Sequence, residues 1–356
     1  MDTTDAPQII EHTQQSLALT PFDVKWIPCS ARFVLLGQSP RAKGVFNVYQ
    51  LNQGKLELLH EWEKPDGIKS ATFRASPVSI RDCATVDYKG KLVIYDIERG
   101  VAKYSVQAHS AMGNIIDGIG GKGAEYGAPE LVTGGSDGCV RVWDPRQEAP
   151  VVSLEPAESE QIKPDCWSVA FGNSYNQEDR CIAAGYDNGD IKLFDLKTNC
   201  LRWDTNVSNG VCGVEFDRQD ISMNKLVVTT LESKFHVFDL KTYHPEQGYS
   251  GLAEIAHKST IWGIRHLPQN RDIFSTLGGN GAINIYKYHY PANRMLKDTD
   301  GIPMGVTGKV ELLNDKMIAQ QPVVSLDWNV DKMGLACLCA LDQTVKVIVC
   351  TKLNLY

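Results

Sequence analysis

A five-residue segment with apolar residues at alternate positions recurs along the chain as FNVYQ (46–50), LVIYD (92–96), VRVWD (140–144), IKLFD (191–195), FHVFD (235–239), INIYK (283–287) and VKVIV (345–349). Successive copies start 46, 48, 51, 44, 48 and 62 residues apart. An apolar period of two describes a half-buried β-strand, and self-similarity at about 40–45 residues is the spacing of WD-type propeller blades. A helix-rich fold is excluded by the same period.

Each copy follows, at one fixed offset, a pair of turn-like residues: Lys43-Gly44, Lys89-Gly90, Asp137-Gly138, Asn188-Gly189, Glu232-Ser233, Asn280-Gly281 and Asp342-Gln343. Asp-Gly and Asn-Gly tolerate the positive φ of a tight hairpin, so each pair joins two antiparallel strands. Upstream lies a second apolar strand, for example RCIAAGY or KLVVTTL, and before it a third with an apolar–x–aromatic signature: FDVKW, SATF, WSVAF, CGVEF and VSLDW. A weaker outer strand such as AKYSV (102–106) completes the module. The expected fold is all-β, a seven-bladed WD-repeat β-propeller forming one domain over residues 1–356. The last module stops after its third strand, and an orphan strand, PQIIEHTQ, precedes the first. Residues 1–20 are therefore expected to supply an N-terminal strand that completes the last blade and removes open edges. The long final interval places an inter-blade insertion at 290–320, a surface excursion of mixed charge.

Charge and composition narrow the function. A formal net charge of -7 and a pI near 5.7 argue against a nonspecific binder of nucleic acid or anionic membrane. MDTTDAPQII lacks the basic and apolar regions of a signal peptide, and no apolar run approaches the roughly 18 residues of a membrane span. Ten scattered cysteines without C-x-x-C pairs fit reduced thiols and a cytoplasmic location.

Gly118, Gly120 and Gly123 spell G-x-G-x-x-G, the spacing of a dinucleotide-binding turn. That turn must open a helix, which Gly127 and Pro129 would stop within one turn, so a glycine-expanded hairpin is expected and no cofactor. The eight histidines show no short metal spacing. Cys337 and Cys339 alternate on one strand and read as small buried hydrophobes, and no nucleophile motif is present. No catalytic residue is expected.

His109, Thr133, Asp137 and Trp143 stand at the offsets of the hydrogen-bonded WD-repeat tetrad, a structural network that locks strand to strand. His257, Thr276, Asn280 and Tyr286 are a weaker version in module six. Partner binding is expected on a rim, where Trp167 and Trp262 begin the innermost strands of modules four and six and provide large contact areas with one polar handle. Packing beneath neighbouring loops accounts for them equally well. Asp165, Asp187, Thr260 and Arg265 lie nearby and could supply a polar rim. Trp143, Asp144 and Arg146 also spell W-D-x-R, the box by which some WD proteins join cullin-type ubiquitin ligases as substrate receptors. Only Arg146 adds information there, because the blade already explains the other two.

The segments WSVAFGNSYNQEDR (167–180), AGYDNGDIKLFDL (184–196), NGVCGVEFDRQDISMNKLV (209–227), AHKSTIWGIRHLPQNRDIF (256–274) and residues 117–147 resemble the Monad-type WD-repeat family of dynein axonemal assembly factors. The resemblance runs from PQII to TKLN, across all seven modules. It implies a cytoplasmic, noncatalytic adaptor, a monomer within larger complexes. Its implied partners are tetratricopeptide and prefoldin-like co-chaperones and axonemal dynein heavy chains, assembled before ciliary import. A role in apoptosis has also been attached to the family. The resemblance supplies no catalytic or partner-contacting residue.

Overall fold

The computed structural model describes residues 6–120, 130–157, 163–175, 178–297 and 301–356. Seven four-stranded antiparallel sheets are present; six are built in chain order with the first strand innermost, and the seventh takes its outer strand from the start of the chain. The innermost strands are Thr20–Trp26, Ile68–Thr72, Gly113–Gly118, Cys166–Gly172, Val211–Phe216, Ile261–Leu267 and Val323–Trp328. Each contacts the next, and the seventh contacts the first, so the blades close a ring around an axial channel. Among the described residues the one helical turn is a 3₁₀ turn at Leu353–Leu355.

Closure uses the N-terminus. Ile9–Ser16 is the outer strand of blade seven, paired antiparallel with Thr344–Cys350 from Ile9 opposite Cys350 to Ser16 opposite Thr344. Lys346 reaches Glu11 at 3.0 Å, and Lys316 of blade six donates to the carbonyl of Ile9 at 2.8 Å. The chain ends thereby hold one sheet together, which leaves no seam at which the ring could open as a free edge.

The core is divided seven ways. Seven apolar clusters are present, and each combines residues of two neighbouring blades. Ala170, Leu193, Val214 and Phe238 join blades four and five, for example, and Trp26, Phe33, Cys337 and Cys339 join blades one and seven. Cys337 and Cys339 are fully buried there, and burial pushes both thiols above their ordinary range. All ten cysteines are free.

In six blades the second residue of the turn pair takes positive φ: Gly90, Gly138, Gly189, Ser233, Gly281 and Gln343. The first residue of those pairs does not, so the hairpins are type I turns closed by one left-handed residue, as in Gly138, whose amide reaches the Gly135 carbonyl at 3.1 Å. Blade one differs, since its positive φ falls on Ala42 within a longer turn.

Residues 290–320 do not form an excursion between blades. Lys309–Met317 is the outer strand of blade six, paired with Ala282–His289. Most of that strand is exposed, so it lacks the apolar alternation that marks the inner strands. The excursion proper lies within blade six, and Met295–Lys297 and Pro303–Gly305 form a small hairpin beside blade five. Arg294 grips Asp239 of blade five with two nitrogens, and its guanidinium lies 4.6 Å over the Tyr290 ring. Beneath it, buried Lys225 donates to the Arg271 carbonyl at 2.6 Å and to Asp272 at 3.2 Å. Residues 298–300 and the glycine-motif residues 121–129, including Gly123, Gly127 and Pro129, lie outside the described residues.

Candidate functional site

Every innermost strand begins with a register shift of one residue, between Pro21 and Asp23, Ile68 and Ser70, Gly113 and Ile115, Cys166 and Ser168, Val211 and Gly213, Ile261 and Gly263, and Val323 and Ser325. The extra residue of a bulge leaves the ladder and re-aims its side chain. The seven extra residues are Phe22, Lys69, Asn114, Trp167, Cys212, Trp262 and Val324. Because they occupy equivalent places in a closed ring, they encircle one mouth of the channel.

Trp167 and Trp262 therefore do hold the same position, and the structure adds five more to the set. Trp262 is 41% exposed and Trp167 half-buried. Gly210 explains the Trp167 setting: a side-chain carbon there would meet the Trp167 ring and the Asp187 carbonyl at 2.8 Å and the Leu231 methyl at 3.0 Å. Asp187 donates its amide to the Asp165 carbonyl at 3.0 Å, which places both acids beside Trp167. Burial, and then the charge of Asp165, push the Asp187 carboxyl above its ordinary value. Thr260 donates its hydroxyl to the Leu231 carbonyl at 3.1 Å and pins blade six to the turn of blade five. Asp165, Trp167, Asp187, Thr260 and Trp262 thus gather at the mouth, together with Leu231.

Arg265 does not join them. It lies three residues past Trp262 along the strand, roughly 10 Å deeper at strand rise. Its equivalents, Lys25, Thr72, Asp117, Ala170, Glu215 and Asp327, make a belt inside the ring. Arg265 donates to the Leu326 carbonyl at 3.1 Å and to Glu215 at 3.4 Å. Burial opposes its charge, yet Glu215, Asp23, Asp327 and Asp117 together hold it firmly protonated. The carboxylates of this region also accept backbone amides of the following blade: Asp23 from Ala71 (2.8 Å), Asp117 from Phe171 (3.0 Å), Glu215 from His266 (3.1 Å) and Asp327 from Trp26 (2.8 Å). These bonds satisfy amides that the innermost strands, being sheet edges, would otherwise leave unpaired. The belt is a structural clasp.

The tetrad of blade three is fully formed. The Trp143 indole donates to Thr133 Oγ1 at 2.9 Å, Thr133 lies 2.8 Å from His109 Nε2, and His109 Nδ1 lies 2.8 Å from Asp137. Asp137 also accepts the amides of Ser110 and Cys139 and the guanidinium of Arg141 at 3.1 Å. Burial pushes its carboxyl up, but the bond from His109 and the two amides outweigh this and hold it well below the usual carboxylate range. In blade six His257 reaches Thr276 at 2.8 Å, but Tyr286 turns to Asn284 (3.0 Å) and Asn280 accepts its own turn amide, Ala282 (3.2 Å). In the W-D-x-R stretch Trp143 is buried in the tetrad, while Arg146 is exposed and lies against Asp144, 2.6 Å at the closest pair. Asp144 and Arg146 thus satisfy each other within their own turn.

Phe22, Lys69, Asn114, Cys212, Val324 and Leu231 are mouth residues that sequence reasoning missed. A signal for three of them was present, because the bulge residue stands four before the aromatic that ends the apolar–x–aromatic signature: Phe22 before Trp26, Cys212 before Phe216, Val324 before Trp328. Among the described residues no group of three or more His, Cys, Asp or Glu side chains could hold a metal ion, and no helix is long and apolar enough to cross a membrane.

Residues 121–144 match the WD domain, G-beta repeat family. Over the whole length the chain is similar to dynein axonemal assembly factor 10 of Bos taurus and of Homo sapiens, each 54% identical over 356 residues that cover 99% of both sequences. It is 50% identical to the protein of that name in Chlamydomonas reinhardtii, again over 99% of both. Similarity at this level across all seven blades, with the ring and tetrad in place, means that the chain belongs to the dynein axonemal assembly factor 10 family.

Proposed function

We propose that this protein is a noncatalytic scaffold for axonemal dynein preassembly, working in the cytoplasm as an adaptor between co-chaperones and dynein heavy chains. The observation that carries the reading is the channel mouth. A rigid ring presents exposed Trp262, half-buried Trp167 and exposed Leu231 beside two acids, which is the composition of a protein-binding hot spot with a polar rim. The names of the full-length relatives supply the client, axonemal dynein. Tetratricopeptide and prefoldin-like proteins are the co-chaperone classes proposed to join it.

The test is affinity purification of the full chain from ciliating cells, beside a Trp167→Ala/Trp262→Ala variant whose circular dichroism matches wild type. Dynein heavy chains and co-chaperones should accompany wild type, and the folded variant should lose at least one of them. Recovery of cullin adaptors without dynein, abolished by Arg146→Ala, would overturn the proposal in favour of a ligase receptor. Retention of every partner by the double variant would move docking away from the mouth.

A further inference from the structure

The mouth is not uniform around its circumference. On blades one and two it contains its own cation: the Lys69 ammonium lies 4.9 Å over the Phe22 ring, and Phe22 packs against Tyr88 at 5.5 Å. Phe22 and Lys69 are adjacent members of the bulge ring, so this pair shows what the ring geometry offers a cation. On blade four the arrangement is half complete. Trp167 provides the aromatic, yet among the described residues no lysine or arginine lies over its ring or over that of Trp262. Two carboxylates, Asp165 and Asp187, stand there instead.

Asp187 is under electrostatic tension. Its Oδ1 is buried and has no hydrogen-bond partner among the described residues. Burial and the neighbouring Asp165 both disfavour its charge. An incoming cation would relieve the repulsion between the two carboxylates. Beside exposed Asn188 and Glu232, this side of the mouth carries two large exposed apolar side chains, Leu231 at 37% and Trp262 at 41%. A compact inorganic ion has no use for such walls, whereas a side chain with an aliphatic stem and a charged end does.

We propose that the blade-four side of the mouth receives a lysine or arginine from an extended partner segment, with its charge at Asp165 and Asp187 and its stem laid across Trp167 and Leu231. Apolar residues flank that side chain in the partner and cover Leu231 and Trp262. The formal net charge of -7 favours the approach of such a basic segment. This inference rests on the reading that partners dock at the mouth.

The experiment follows tryptophan indole resonances of the full-length protein by NMR, with Trp167 assigned through Trp167→Phe. The probes are two blocked tripeptides, Leu-Lys-Leu and Leu-norleucine-Leu, which differ in the ammonium. The lysine peptide should move the Trp167 resonance with an affinity about fivefold or more above that of the norleucine peptide. Asp165→Asn/Asp187→Asn should abolish this advantage, and added salt should shrink it. Equal responses to the two peptides, or no response to either, would overturn the cation site. The two levels of the reading separate cleanly. If partners captured from cells are lost with Trp167→Ala/Trp262→Ala but kept with Asp165→Asn/Asp187→Asn, the docking face stands and the cation site falls. If peptide discrimination holds while the tryptophan variant keeps its partners, the cation site stands and the docking face falls.

Discussion

Blades three and six start from nearly the same polar set and finish it differently. Both place a histidine across a glycine of the second strand: a side-chain carbon at Gly135 would lie 2.5 Å from the His109 ring, and one at Gly278 would lie 2.6 Å from the His257 ring. Both join that histidine to a buried threonine at 2.8 Å. Blade three then extends the chain through Asp137 to Arg141 and through Thr133 to Trp143. Blade six has Asn280 and Tyr286 at those positions. Its Tyr286 ring instead stacks on Phe274 at 5.6 Å and tilts against Phe235 at 5.0 Å, inside the apolar cluster shared with blade five. The contrast shows that a blade needs its strands cross-braced but that aromatic packing can replace a hydrogen-bonded network. The two solutions should fail under different stresses.

The largest effect is expected from Asp137→Ala. It removes the acceptor for His109, two amides and Arg141 at once, leaving the buried His109 imidazole short of a partner, and should cost about 3–5 kcal/mol in urea unfolding. A cost near zero would mean that the blade-three network is ornamental.

Acid should separate the blades next. Burial pushes His257 down to about 4 from its ordinary 6.5, so the folded blade binds fewer protons than the unfolded chain. Its stability is then full above pH 6.5 and falls as the pH drops toward 4. Asp137, held low by its partners, keeps its contribution down to the ordinary carboxylate value of 3.8 and loses it only below. Hydrogen exchange at pH 5 should therefore show Ile273–Tyr286 amides opening before those of Leu131–Trp143, and the reverse order would refute the distinction.

His257→Leu removes one hydrogen bond and leaves the aromatic cluster in place, so a loss of about 1 kcal/mol is expected by the same unfolding measurement, well under that for Asp137→Ala. The smallest effect belongs to Asn280→Asp, which should convert blade six toward the blade-three pattern. The gain should not exceed about 1 kcal/mol, and the His257 titration followed by NMR should move up toward neutrality as the new carboxylate favours its protonated form.

These blades also show how far residues alone could be read. Strand period and turn pairs repeat because every blade solves one packing problem, and that made the ring, its closure and the blade-three tetrad recognisable in the sequence, whereas only the His257–Thr276 half of the blade-six set forms. Trp167 and Trp262 stood out as large aromatics at one offset. Their partners Phe22, Cys212 and Val324 did not, because a bulge residue is free to vary in type and only its register unites the set. Arg265 misled through proximity in sequence: strand rise carries a residue three positions on roughly 10 Å into the ring, where Glu215 and the Leu326 carbonyl hold it. Lys309–Met317 went unrecognised because an outer strand faces solvent on nearly every residue and shows no period.

The pairing of Ile9 with Cys350 has a cost in time. On a ribosome adding roughly 5–20 residues per second, the first strand waits some tens of seconds before its partner exists. Throughout that interval Ile9–Ser16 is a nascent segment without its sheet, and blade seven has not yet been made. A factor that serves the assembly of other proteins thus completes its own ring only after Thr344–Cys350 has been synthesised.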